Sequence, residues 1–387
     1  MSPQLPSALR LKGGRDYPSK YADMRAWFPD DAACLDYLEW LRWPQGFVCP
    51  QCRTPGRWRL ADGCFWCAGC RRRVSVTTGT IFHGTRTPLT VWFEASWSVT
   101  SAKNGVSAKT LQRLLGFGSY QTAWTMLHRF RTAMVRPGRE QLSGRVEVDE
   151  TFVGGVKPGK RGRGAAGKTL VAVAVEILSP MGFGRCRLRI IPNAQAVTLR
   201  TFLDECVLPG SVVVTDGLKS YTLATMEGYR HEPVTVSRSG DPAHVSLPGV
   251  HRVASLLKRW LLGTHQGAVE VDHLQGYLDE FAFRFNRRRS EFRGLLFRRL
   301  LEQAVQVGPV TYRSLVVNPS PKGKKPKPPT VHRIGPASLA INPERPRPGE
   351  TTTGRGYRTQ MDTPLSISRR PGSQKRICAT TSSTCQS

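Results

Sequence analysis

Acidic side chains are scarce in this chain. In 387 residues, 28 Asp and Glu stand against 57 Lys and Arg, leaving a formal net charge of +29. That is far more than solubility needs, so a polyanion is the expected partner. Long apolar runs are lacking too. No stretch reaches the ~18 residues of a membrane-spanning helix, and the N-terminus lacks the apolar core of a secretion signal. Both absences argue against a membrane partner and for a cytoplasmic, nucleoid-associated protein. Nor do the ten cysteines suggest a secreted disulfide scaffold, because four of them form two CxxC pairs, the metal-binding pattern of a reducing compartment. A phosphate-binding P-loop is missing as well. The basic glycine-rich stretch 157–168 lacks the required glycine spacing and the GK[ST] ending after a strand.

What is present divides the chain. Residues 1–28 carry Pro, Gly and basic residues without periodicity and read as a flexible arm. An acidic cap at Asp30 and Asp31 then opens a short amphipathic helix with Leu35, Leu38 and Leu41, which stops before Pro44. CPQC at Cys49 and Cys52 and CAGC at Cys67 and Cys70 follow, fourteen residues apart. Two such turns can present four thiolates as a tetrahedron round zinc, and a unit too small for its own core would depend on that metal. Cys64 offers a different partner for Cys67, but Cys67 with Cys70 repeats the spacing of the first pair. Arg71, Arg72 and Arg73 back the second pair as candidate phosphate contacts. Cys34, Cys186, Cys206, Cys378 and Cys385 have no partner spacing.

Pro88 begins a helix through Trp92, Phe93 and Trp97. Two capped helices then span 107–116 and 119–131, separated by a glycine turn, a helix-turn-helix outline. Its second helix is expected to expose Gln121, Thr125, His128 and Arg129 and to bury Ala123, Trp124, Leu127 and Phe130. An ordinary helical hairpin joining two domains fits the same pattern.

From Gly144 the pattern becomes βββαβα. The first strand, RVEVDETFVGG at 145–155, puts Val146, Val148 and Phe152 on one parity and is broken by Asp149 and Glu150. Carboxylates inside an apolar strand call for a positive partner, and a divalent cation is the strongest candidate. Strands at 169–177 and 185–191 follow. Between the first two lies a basic hairpin arm with Lys160, Arg161 and Arg163, suited to a phosphate backbone. A helix through Leu199 and Phe202 leads to SVVVTDG at 211–217, which sets Asp216 at a strand's carboxyl end, a favoured ligand position in α/β sheets. In the helix opening at His251, Val253, Leu256, Leu257, Trp260 and Leu261 form one apolar stripe, leaving His251, Ser255, Lys258 and Arg259 off it. The last helix ends in Arg287, Arg288 and Arg289.

Asp149, Asp216 and His251 thus stand in order on two strands and a helix. Together with VEVDETFVGG, VVVTDGLKSY, HRVASLLKRWLLGTH, YLDEFAFRFNRR, the CPQC ribbon and GTIFHGTRTPL, they resemble bacterial DDE transposases of the insertion sequence 1595 (ISXO2-like) group, relatives of the eukaryotic Merlin elements, from about residue 30 to about 312. The resemblance implies a ribonuclease-H-like catalytic core that cleaves and transfers DNA strands using two Mg2+ or Mn2+ ions, bound to terminal inverted repeats and target DNA as a homodimer or larger assembly. In this chain Asp149 and Asp216 would hold the metals, Glu150 would support them, and Lys258 would grip the phosphate. The third ligand departs from the pattern. Seven residues before Lys258, where some members carry Glu, stands His251; two residues before it, where others are expected to carry Asn, stands Leu256, which cannot bind metal. Either His251 takes the third place or this copy is a weakened, catalytically inactive DNA-binding descendant.

The expected architecture is therefore multidomain α/β. It comprises a flexible arm (1–28), a structural Zn2+ ribbon with its preceding helix (29–85), a helix-turn-helix-like helical region (86–137), a ribonuclease-H-like core with a mixed sheet (143–290), an extension of that core (291–317), and a disordered basic tail (318–387).

Overall fold

The computed structural model describes residues 11–316 except 137, 155–167, 181, 235–245 and 268. The tail beyond 316 and the hairpin residues Lys160, Arg161 and Arg163 lie outside the described residues.

The N-terminal half is built from α1 (Tyr21–Trp27), α2 (Asp31–Arg42), a three-stranded antiparallel sheet of β1 (Arg57–Arg59), β2 (Phe65–Cys67) and β3 (Arg73–Val74), then α3 (Leu89–Ser101), α4 (Ala108–Leu114) and α5 (Tyr120–Ala133). Local chemistry fixes the helix starts. The Asp30, Ser107 and Ser119 side chains accept backbone N–H groups in the first turns of α2, α4 and α5.

The second half is a five-stranded mixed sheet, order β6-β5-β4-β7-β8, of β4 (Arg145–Val153), β5 (Thr169–Ile177), β6 (Phe183–Ile190), β7 (Val212–Thr215) and β8 (Arg230–Pro233). Strand β5 runs antiparallel to both β4 and β6, whereas β7 runs parallel to β4, and β8 parallel to β7. Strand parity sorts the layers. Val146 and Val148 pack with Leu199, Phe202 and Leu203 of α6 (Ala196–Cys206) on one face. Val171, Val173 and Val175 pack with Val253, Leu257, Leu278 and Phe281 of α7 (Pro248–His265) and α8 (Val271–Asn286) on the other. The open edge of β6 is closed by side-chain amides of α8: Asn286 bonds both the N–H and C=O of Cys186 (2.7 and 3.1 Å), and Gln275 accepts from Ile190 N–H at 3.0 Å.

The structure corrects several expectations. Part of the arm is ordered: Tyr17, Met24 and Phe28 are buried. Strand β8 has no apolar alternation, being a short polar edge strand, and so left no periodic signal. Helix α7 begins at Pro248, so His251 sits inside its first turns rather than opening it. The segment expected to extend the sheet domain instead carries α9 (Arg293–Ala304) into the N-terminal core, followed by the short α10 (Tyr312–Val316). There Phe297 meets Phe28, Phe93 and Trp97 with ring centroids 6.1, 5.7 and 5.6 Å away. Gly294 lies against the Pro18 carbonyl so closely that any Cβ would collide with backbone. Ribbon and helices also share this core, since Phe65, Cys49 and Cys67 belong to the same cluster as α2, α3 and α5.

Because Phe297 is fully buried between elements distant in sequence, Phe297→Ala should cost about 3–5 kcal/mol of unfolding free energy in urea titration. A loss below about 1 kcal/mol would show that α9 only rests on this core.

Candidate active site and zinc centre

The four ribbon cysteines come together. Their sulfur atoms all lie within 4.8 Å of one another, and among the described residues no other set of three or more His, Cys, Asp or Glu groups is this compact. Cys49 and Cys70 sulfurs are 3.8 Å apart and Cys52 and Cys67 sulfurs 3.5 Å, close to the ~3.8 Å edge of a tetrahedron with Zn–S bonds of ~2.3 Å. Two matching turns build the site. Arg53 N–H donates to Cys49 C=O and Arg71 N–H to Cys67 C=O (3.0 and 3.1 Å), and both arginines adopt positive φ, +62° and +51°. These donors fit a structural zinc ion, and Cys64, with a half-exposed side chain, stays outside the cluster.

The acidic site lies at the carboxyl end of the parallel pair. Register Glu147 opposite Val214 carries on two residues to bring Asp149 beside Asp216. Both line an open cleft of about 490 Å³ with Glu150, Phe152, Lys168 and Asn193. His251 Nε2 stands 4.0 Å from Asp149 Oδ2. Burial, reinforced by the charges of Glu150 and Asp216, pushes the Asp149 carboxyl up to about 7, against the opposing pull of its hydrogen bond from Glu150 N–H and of Lys258. Asp216 accepts from Leu218 N–H at 3.0 Å, fixing the turn that presents it. Glu150 points to the opposite sheet face and accepts from Tyr221 Oη at 2.7 Å. Lys258 lies across Phe152, lining a neighbouring, largely apolar cavity of about 320 Å³. Burial and then Lys168 lower its ammonium below the usual lysine range, while Asp149 opposes them. Leu256 is half-buried in the helix–sheet core, as its place in the stripe requires. Two carboxylates with a nearby imidazole are donors a divalent cation takes, although they surround a wider opening than the cysteines do.

Sequence reading missed the group that positions this arrangement. Glu147 shares the parity of Asp149, is buried, and accepts from Gly249 and Val250 N–H at 2.7 and 3.0 Å. A carboxylate thus caps the N-terminal turn of α7 and holds His251 beside β4. Gly249 permits the approach, since a Cβ there would stand 2.9 Å from Glu147 Oε2 and 2.8 Å from the Ile177 side chain. The glutamate parity was legible, but its partner lies 102 residues away.

The expected DNA-reading helix is only partly available. Gln121, Thr125 and Arg129 line an open groove of about 240 Å³ with Arg86. His128 is buried, however, between the Trp124 and His273 rings, with centroids 4.1 and 5.0 Å away. The reason is that α5 packs its second face on α8, where Arg131 and Glu280 form a buried ion pair at 3.0 Å. Arg129 donates to the carbonyls of Val310 and Ile81, at 2.7 and 3.3 Å. Arg73 pairs with Asp62, and Arg72 donates to Gln51. Arg287 lies over the Phe283 ring, and Arg288 donates to the carbonyls of Phe183, Gly184 and Phe285. Arg71 and Arg259 are exposed. Among the described residues no helix is long and apolar enough to cross a membrane.

Residues 29–73 match the transposase zinc-ribbon domain and residues 141–286 the ISXO2-like transposase domain. The chain is similar to an uncharacterized protein in transposable element ISH50 of Halobacterium salinarum, 29% identical over 66% of this chain and 91% of the relative. It is also similar to an uncharacterized transposase-like protein of Haemophilus influenzae, 29% identical over 25% of this chain and 77% of that one.

Metal analysis tests the ribbon: the purified chain should carry one zinc, and Cys49→Ser should lose it together with cooperative melting of the N-terminal half. Full zinc retention in the variant would refute the four-cysteine centre.

Proposed function

The chain belongs to the ISXO2-like transposases, and from that premise we propose that it cleaves and rejoins DNA strands at the Asp149–Asp216 cleft. The observation that carries this reading is the parallel β4–β7 register, which sets two carboxylates side by side at one strand end, with His251 beside Asp149 and Lys258 further along the same helix. The mixed sheet with three antiparallel strands, two parallel ones and helices on both faces supports a ribonuclease-H-like core.

Asp149, Asp216 and His251 are the groups that would hold two divalent ions, Mg2+ or Mn2+, which when bound supply an activated oxygen nucleophile and charge neutralisation at the phosphodiester. The chain's own contribution is positional. Glu147 holds α7, and with it His251, against β4. Tyr221 donates to Glu150 and fixes that carboxylate in the wall of the same cleft. Lys258 and Lys168 flank the cleft with positive charge for a phosphate. Terminal inverted repeats would be read by the zinc ribbon through Arg71 and Arg72 and by the N-terminal turns of α5 through Gln121 and Thr125, with Arg86 contacting backbone. A dimer or larger assembly would bring two element ends together.

Strand cleavage and transfer on a duplex carrying the element's end tests this. Asp149→Ala should lower the rate by at least about 10³-fold, with binding of the duplex retained. Equal rates for wild type and variant would leave a non-catalytic DNA-binding protein, the competing reading. The imidazole adds a second expectation. Nitrogen is tolerated better by Mn2+ than by Mg2+, so the wild type should prefer Mn2+, and His251→Glu should move the preference toward Mg2+. An unaltered metal preference would remove His251 from the ligand set.

A further inference from the structure

A group of guanidinium side chains away from the cleft has no task in the reaction just described. Arg185 and Arg187 project from edge strand β6, Arg136 and Arg139 come from the segment joining α5 to β4, and Arg287 follows the last turn of α8. All five line one open pocket of about 240 Å³. Arg187 is only 5% exposed. Its guanidinium donates to the backbone carbonyls of Glu140 and Cys186 at 2.6 and 3.1 Å, with no carboxylate at ion-pair distance among the described residues. Arg139 makes no hydrogen bond or ion pair among the described residues. Arg287 spends its contacts on Phe283, ring and carbonyl.

The acids lining the same pocket do not balance these charges. Glu140 is held by Arg136 and Arg185 at 2.9 and 3.2 Å. Asp279 accepts from Gln275 at 3.2 Å, and burial pushes its carboxyl up to about 6 against the pull of that hydrogen bond and of Arg139. Burial first, and then the neighbouring Arg299, Arg136 and Arg187, bring Arg287 down to about 10. Glu140 attracts Arg187 and Asp279 attracts Arg139 without forming ion pairs with them, so two acids face five guanidinium groups and the pocket keeps an excess of positive charge. Such a set is costly to hold together unless an anion completes it. Guanidinium forks match phosphate oxygens in geometry and charge.

We infer that this pocket is a phosphate site that grips the DNA backbone away from the bond being cut. The identity of the polyanion rests on the transposase reading; the anion site itself does not. Its place suits the role. Arg185 and Arg187 lie toward the start of β6, whereas Pro192 and Asn193 of the cleft wall follow its end. Five residues of strand are roughly 17 Å, about five base-pair steps along a duplex.

The test uses the full chain in an Asp149→Asn background, so that binding is read without cleavage. Affinity for a random-sequence duplex is measured across a salt series. Arg139→Ala, which removes no internal partner, should weaken binding several-fold and flatten the dependence of log K on log salt by about 0.9, the loss of one phosphate contact. Arg187→Met, its fold checked by circular dichroism, should act in the same direction. Unchanged slope and affinity in both variants, with thermal protection by inorganic phosphate also unchanged, would overturn the site. Loss of thermal protection by inorganic phosphate with DNA binding intact would overturn the DNA assignment in favour of a free anion. Because cleavage by Asp149 variants is a separate readout, failure of either reading leaves the other testable.

Discussion

The candidate active site of this protein depends on one buried carboxylate outside the cleft. Glu147, on the same strand face as Asp149, takes the first free N–H groups of α7 at Gly249 and Val250. Burial raises its carboxyl, while those two hydrogen bonds oppose the rise. Without them the helix would have no fixed point on the sheet. With them, His251 falls beside Asp149 and the apolar stripe of α7 falls on Val171, Val173 and Val175. The cleft is thus a consequence of a helix cap two residues down the strand. Burial first, and then the charges of Glu150 and Asp216, raise the Asp149 carboxyl there.

A second constraint joins the two halves. Glu280 of α8 is buried with Arg131 of α5, at 3.0 Å, and with Arg284, also at 3.0 Å. The opposing charges hold Glu280 below the usual carboxylate range despite complete burial. Removing one member would strand a charge in an apolar setting, so α5 is tied to α8 as much by the penalty for separation as by attraction. The same tie explains why α5 does not present the surface of an isolated recognition helix. Its far end is core, and only Gln121, Thr125 and their neighbours face an open groove. Helix α9 adds a clamp of its own, returning the chain from the sheet domain to the aromatic cluster of the N-terminal half. The ribbon and α5 are therefore fixed in place relative to the cleft.

Much of this was legible from local pattern. Repeated CxxC turns announce a metal centre because four thiolates must be brought to one point, and the cysteines all lie between residues 49 and 70. The strand with Asp149, the buried strand ending in Asp216, and the stripe of α7 were likewise visible in periodicities of 2 and 3.6, and the combined motifs pointed to the family. His128 was misjudged because helical periodicity reports one buried face, whereas α5 is covered on two. Strand β8 escaped because an edge strand needs no apolar face.

The sequence by itself determined the elements, the metal-binding ribbon, the two aspartates and the transposase kinship, since these rest on short-range spacing and on which groups can tolerate burial. Tertiary structure alone decided which cations stay available. Arg73, Arg129 and Arg288 are spent on Asp62, backbone carbonyls and the sheet edge, whereas Arg139 and Arg187 converge on a pocket. It also decided that Glu147 should seat His251 and that α9 should close the N-terminal core. Each of those outcomes is a contact between residues far apart in the chain, where packing rather than periodicity chooses the partner.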